Sequence, residues 1–135
     1  MNNKLKLKKE EVWVQIDWDS TGVWVRSDLG NYLANTGYDA FNLPDDLIKR
    51  FEYWEEWYSS RPWPKMIDNE YKEYEIPDQL LFDTYGRSLA IDLKKFLGDT
   101  YRVYFGNYEN PIEILLMKRD NGTIVPISNS VHPNQ

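Results

Sequence analysis

Glu52, Tyr53, Glu55, Glu56 and Trp57 set three carboxylates and two large rings close together in one short segment. Such a set can grip a basic protein surface, because rings supply buried area and carboxylates select cations. The same chain is poorly equipped to break bonds. It has no cysteine, and its one histidine, His132, stands in a polar terminal stretch between Val131 and Pro133. Ser–His and Cys–His nucleophilic systems therefore lack their usual parts. Thiolate zinc sites and two-histidine metal sites are excluded in the same way, and His132 reads as a spectator. Asp120-Asn121-Gly122 lacks the spaced carboxylates of a calcium loop, and no phosphate-binding glycine motif occurs. Two carboxylates can perform glycosidase-type acid–base work, but with 22 acidic residues some pair falls close by chance. Nothing singles out Glu55, Asp83 or Asp92 for that role. No catalytic residue, metal or cofactor is assigned, the expectation is a non-enzyme, and a carboxylate-dependent hydrolase stands only as a remote alternative.

The rings and acids must be positioned by the elements around them. Leu47, Phe51, Trp54 and Tyr58 follow the spacing of a single helical stripe, which Ile48 widens. Tyr53 and Trp57 fall off the centre of that stripe and read either as the margin of a core or as anchors for a partner. Pro44 suits a first turn, and Asp45 and Asp46 complement the positive helix end, so the spacing predicts a helix over 44–60. Residues 65–76 carry Asp68, Glu70, Glu73 and Glu75 against Lys65 and Lys72. They read as a solvated loop unless they line an interface, in which case Asp68, Glu70 and Glu73 join the candidate contact residues. A second helix is predicted over 78–97, with Leu81, Tyr85, Leu89, Leu93, Phe96 and Leu97 as its apolar side. Lys94 and Lys95 suit its negative end, and Gly98 is a natural stop. Gly86 in mid-helix costs about 1 kcal/mol against alanine, which predicts a close helix-to-helix or helix-to-sheet approach there.

Residues 11–18 alternate as a half-buried strand, with Val12, Val14, Ile16 and Trp18 on one face. Asp19-Ser20-Thr21-Gly22 is turn chemistry before a returning strand over 23–27. Further strands are predicted over 101–106, 112–118 and 123–127, the last two joined by a hairpin turn at Asp120-Asn121-Gly122. Hairpin-linked strands with the helices gathered between them indicate an α+β fold, an antiparallel sheet of about five strands packed by two main helices. A chain of 135 residues suits a single domain. Within it, residues 1–10 are expected as an edge strand or loose arm, and 128–135 as a loose tail. The predicted core is Val14, Ile16, Phe51, Trp54, Leu89, Leu93 and Ile114.

The formal net charge is −6. Residues 1–11 hold four lysines against two glutamates, so the rest of the chain carries −8. A nucleic-acid binder shows the opposite balance. The acidic body suggests a basic partner or simple solubility, with no direct nucleic-acid contact. The N-terminus lacks the apolar run of a secretion signal, and no stretch approaches the ~20 apolar residues of a membrane span. A cytoplasmic protein without membrane contact is expected.

The segments Asn42-Leu43-Pro44-Asp45-Asp46-Leu47-Ile48-Lys49-Arg50-Phe51-Glu52-Tyr53-Trp54-Glu55-Glu56-Trp57-Tyr58 and Phe82-Asp83-Thr84-Tyr85-Gly86-Arg87-Ser88-Leu89-Ala90-Ile91-Asp92-Leu93-Lys94-Lys95-Phe96-Leu97-Gly98 resemble small bacterial immunity partners of polymorphic toxins, including those of contact-dependent growth inhibition. The resemblance implies a non-enzymatic cytoplasmic protein that binds one cognate toxin C-terminal domain and blocks its active site or its access to substrate. Many such toxins are nucleases, whose phosphate-receiving surfaces are basic and would complement this acidic chain. The resemblance assigns no contact residues, so the candidates Glu52, Tyr53, Glu55, Glu56, Trp57, Asp68, Glu70 and Glu73 rest on their chemistry alone. A monomer is expected rather than a dimer. The alternative is a regulatory or subunit module whose aromatic patch pairs with itself or with an unrelated partner.

Overall fold

Val12, Val14, Val23 and Val103 are fully buried, and the fold closes around them. A computed structural model describes residues 10–26, 32–107 and 109–127. Residues 1–9 of the expected arm, Ser27 at the end of the second expected strand, and the 128–135 tail with His132 lie outside the described residues. The elements in chain order are β1 (Glu10–Val14), β2 (Val23–Arg26), β3 (Ala34–Asn35), α1 (Asp45–Tyr58), β4 (Lys65–Ile67), β5 (Glu70–Lys72), α2 (Gln79–Leu97), β6 (Tyr101–Phe105), β7 (Ile112–Glu113), β8 (Leu116–Lys118) and β9 (Ile124–Pro126). Short 3₁₀ turns precede α1 and follow α2.

The main sheet has the order β3-β2-β1-β6-β7 and is mostly antiparallel. Its exception is the central pair, in which β6 runs parallel to β1 with Val12 opposite Val103. The chain between them contains both helices, the long crossover that a parallel pair requires. Inward-facing Val12, Val14, Val23 and Val103 meet Leu47, Phe51, Trp54 and Tyr58 from α1, and Phe82, Leu89, Ala90 and Leu93 from α2, in one core. The α+β class and the two helices match the sequence reading, and the α1 stripe matches residue for residue.

Several expectations need correction. β1 ends at Val14 rather than near residue 18. There the Ser20 hydroxyl accepts a hydrogen bond from the Asp17 amide at 2.9 Å and donates to the Asp17 carbonyl at 3.0 Å, which turns the chain out of the ladder. Ile16, expected in the core, is consequently only partly buried against it. β3 was not anticipated. The expected strand over 112–118 bends at Ile114, which stays bonded to the Val103 carbonyl and fully enters the core, while Leu116–Lys118 pairs separately with β9. The β8–β9 turn is the predicted one, with Gly122 alone taking positive φ, at 89°.

The apolar face of α2 is centred elsewhere than predicted. Phe82 is 3% exposed and Leu81 62%. Phe96 also lies largely outside. The face pivots on Gly86, where the absent side chain admits the Trp54 indole, and a centre at Gly86 selects positions 82, 89, 90 and 93. At the C-terminal end, buried Lys94 donates from Nζ to the carbonyls of Gly98 at 3.0 Å and Tyr101 at 2.6 Å. The cation thus satisfies carbonyl groups where the helix dipole is negative.

Candidate partner-binding surface

A four-residue spacing sets Tyr53 and Trp57 one turn apart on α1, facing the start of α2. Their rings meet edge to face, with centroids 6.1 Å apart. Trp57 is half-buried. Its Nε1–H donates to the Pro77 carbonyl at 2.7 Å, and its ring meets Phe82 at 5.5 Å and Tyr85 at 5.9 Å. Trp57 therefore fastens the entry of α2 onto α1 while keeping one edge at the surface. Tyr53 leans on Tyr85 at 5.6 Å yet remains 55% exposed. Tyr53, Glu56, Trp57, Asp78 and Leu81 line a shallow concavity between the two helices. Leu80 and Leu81, which the sequence reading did not place in a site, stand largely exposed in the first turn of α2. The signal for them was Phe82: with Gly86 as pivot, Phe82 takes the inward position and turns its two predecessors outward.

The three glutamates of α1 divide. Glu52 and Glu56 are exposed, and neither has an ion-pair partner among the described residues. Glu55 is half-buried and accepts a hydrogen bond from the Tyr38 hydroxyl, which in turn accepts one from the buried Gly22 amide at 2.9 Å. Burial pushes the Glu55 carboxyl above its ordinary value, the Tyr38 hydrogen bond opposes this, and the charges of Glu52 and Glu56 add to the rise. Burial and the bond to Glu55 also push the Tyr38 hydroxyl well up, so it stays protonated and donates. Glu55 is thus partly a structural acid, although its rim still lines a dent with Glu52, Glu56 and Ser59.

The acidic run after α1 is not a plain loop. β4 and β5 pair as a hairpin, with Ile67 opposite Glu70 and Asp68 and Asn69 at the turn. Both turn residues adopt positive φ, 51° and 69°, which the short polar side chains of Asp and Asn tolerate. That Asp-Asn pair between two short apolar-containing runs was the legible signal. Asp68 and Glu70 are exposed at the tip, on a different element from the α1 acids. Glu73 lies at the base, 3.8 Å from the Arg61 guanidinium. Arg61 is the centre of that base. It lies over the rings of Trp18 at 4.7 Å and Tyr58 at 4.5 Å, and donates to the carbonyls of Tyr58 and Tyr74. Trp63 stacks on Trp18 at 4.3 Å.

The remaining carboxylates weighed for acid–base chemistry are engaged otherwise. Asp92 pairs with Arg50 at 2.5 Å, and Asp83 accepts from Gln79 at 3.0 Å. Among the described residues, no three His, Asp or Glu side chains gather as a metal site, and no helix is long and apolar enough to cross a membrane. What the geometry defines is an α+β domain with rings and unpaired acids displayed on one helix and on a hairpin. Compared with protein-family models, curated proteins and solved structures, the chain finds no match.

Proposed function

We propose that this chain is an immunity-type protein: a non-enzymatic, cytoplasmic, stoichiometric inhibitor that neutralises a basic toxin C-terminal domain by binding it. The observation that carries this reading is Tyr53, more than half exposed between Glu52 and Glu56, which have no cation partner among the described residues. The fold gains little from a ring and two charges so placed, since the inner stripe of α1 already fills the core. A basic surface would gain from both: opposite charge raises the association rate, and desolvated rings slow dissociation. A nuclease is the expected toxin class, because a surface that receives phosphates is basic and the chain beyond residue 11 carries −8.

The test is protection. The C-terminal domain encoded by the adjacent gene is expressed in cells with and without this chain. Rescue of growth and recovery of a one-to-one complex support the proposal. A domain that is harmless by itself, or that kills equally in the presence of the chain, overturns it. A second reading, a subunit module that pairs with itself, is favoured by the exposure of Leu80 and of Leu81, which lines the same concavity as Tyr53. A dimer that persists at micromolar concentration and dissociates on Leu81→Ser would select it.

A further inference from the structure

We propose that the β4–β5 hairpin is an insertion element, which enters a cleft on a basic partner protein with Met66 and Tyr71 as its apolar contacts and Asp68 and Glu70 at its acidic tip. This deepens the reading above and rests on it for the existence of a basic partner.

Met66 lies directly opposite Tyr71 across the two strands, so both side chains stand on one face of the hairpin. They are 63% and 65% exposed; Trp63 is 56% exposed, and Ile67, on the opposite face, 42%. An isolated two-stranded hairpin is marginal in water, and so much exposed apolar surface in one short element marks an interaction site. The base is nonetheless held firmly. Arg61, whose side chain is 6% exposed, is clamped between Trp18 and Tyr58, bonds to the Tyr74 carbonyl and pairs with Glu73. Trp63 closes the other side on Trp18. A projecting element fixed at its base loses little conformational freedom on binding.

Charge decides the occupant. Charge is segregated along the hairpin: Asp68 and Glu70 stand at the tip and Lys65 and Lys72 pair at its open end, and neither Asp68 nor Glu70 has an ion-pair partner among the described residues. A second copy of this acidic chain would bring like charges together, which works against pairing. A basic cleft with apolar walls matches both the tip and its shoulders.

The experiment uses the adjacent-gene C-terminal domain, inactivated in its own active site, and titrates it with the full chain, with a Met66→Ser, Tyr71→Ser double variant and with a Glu52→Lys, Glu56→Lys double variant. Since Met66 and Tyr71 are exposed, the hairpin variant should keep the parent melting temperature and bind about 30-fold more weakly or worse. Amine acylation of the parent complex gives an independent readout: Lys65 and Lys72 should be protected on binding. If the parent binds, but the hairpin variant binds equally well and both lysines stay reactive, insertion is wrong while the inhibitor reading stands. If the parent does not bind, both fall. A parent dimer abolished by the hairpin substitutions would make this face a self-interface and overturn the proposal.

Discussion

Trp54 lies directly on the backbone of Gly86: a methyl group built there would come within 2.3 Å of Trp54 Cζ2 and 2.9 Å of Phe105 Cε1. The indole cannot easily withdraw, because its Nε1–H donates to the Phe82 carbonyl at 3.1 Å and its ring stacks on Phe82 at 5.0 Å. Gly86→Ala sets a helix-propensity gain of about 1 kcal/mol against overpacking of about 1–3 kcal/mol. The clash is with rigid rings, so the expected result is a net loss of up to about 2 kcal/mol in urea unfolding. A stabilised variant would show that Trp54 can move.

Phe51 is fully buried between Gly22 and Tyr38, with centroids of the two rings 5.1 Å apart. Phe51→Ala should cost about 3–5 kcal/mol, through lost transfer energy and the cavity left behind. The check is the denaturation midpoint with the slope unchanged.

Tyr53 and Trp57 should separate on one pair of measurements. Tyr53→Ala removes an exposed ring and should change stability by about 0.5 kcal/mol or less while weakening partner binding. Trp57→Ala also removes the hydrogen bond to Pro77 and the packing on Phe82. It should lower stability by about 1–3 kcal/mol in addition to affinity. Equal stability losses for the two would contradict the division of roles.

Tyr38→Phe leaves the buried Gly22 amide without its acceptor and should cost about 1–3 kcal/mol. Because the Tyr38 hydroxyl favours ionised Glu55, its loss should move the Glu55 carboxyl pKa further up, read by carbon-13 NMR. The pH sign follows. A carboxyl raised in the fold contributes stability below its unfolded value near 4.5, and that contribution fades as pH climbs through the raised value. Glu55→Gln, which can still accept from Tyr38, should flatten this slope just above pH 4.5. A parent curve in which the same interval gains stability through Glu55 would refute it.

Glu52→Lys and Glu56→Lys reverse exposed charges and should leave the melting temperature within a few degrees. Association with a basic partner should slow roughly tenfold or more at low salt and lose most of its salt dependence. Stopped-flow kinetics at two ionic strengths decide the matter, and unchanged rates would place the steering charge elsewhere.

Local patterns were legible from the residues alone. The α1 stripe at 47, 51, 54 and 58, the turn chemistry at Gly22 and Gly122, and the period change from two to 3.6 depend on neighbours a few positions apart, and local sterics and amphipathicity settle them. So did the close approach at Gly86, since a mid-helix glycine is costly unless something fills its place. Other features depended on partners far away in sequence. That β6 pairs parallel to β1 depends on where a crossover of two helices returns the chain, and no short pattern encodes that. Leu81 and Phe82 are equally apolar neighbours; the glycine at 86 hinted at the inner face, and the position of Trp54 over Gly86 chose Phe82 for the core. The six candidate acids and two candidate rings on α1 and in or just after the β4–β5 hairpin looked alike as chemistry. Tertiary contacts tied Glu55 to Tyr38, Glu73 to Arg61 and Trp57 to Pro77, and left Glu52, Tyr53, Glu56, Asp68 and Glu70 facing outward.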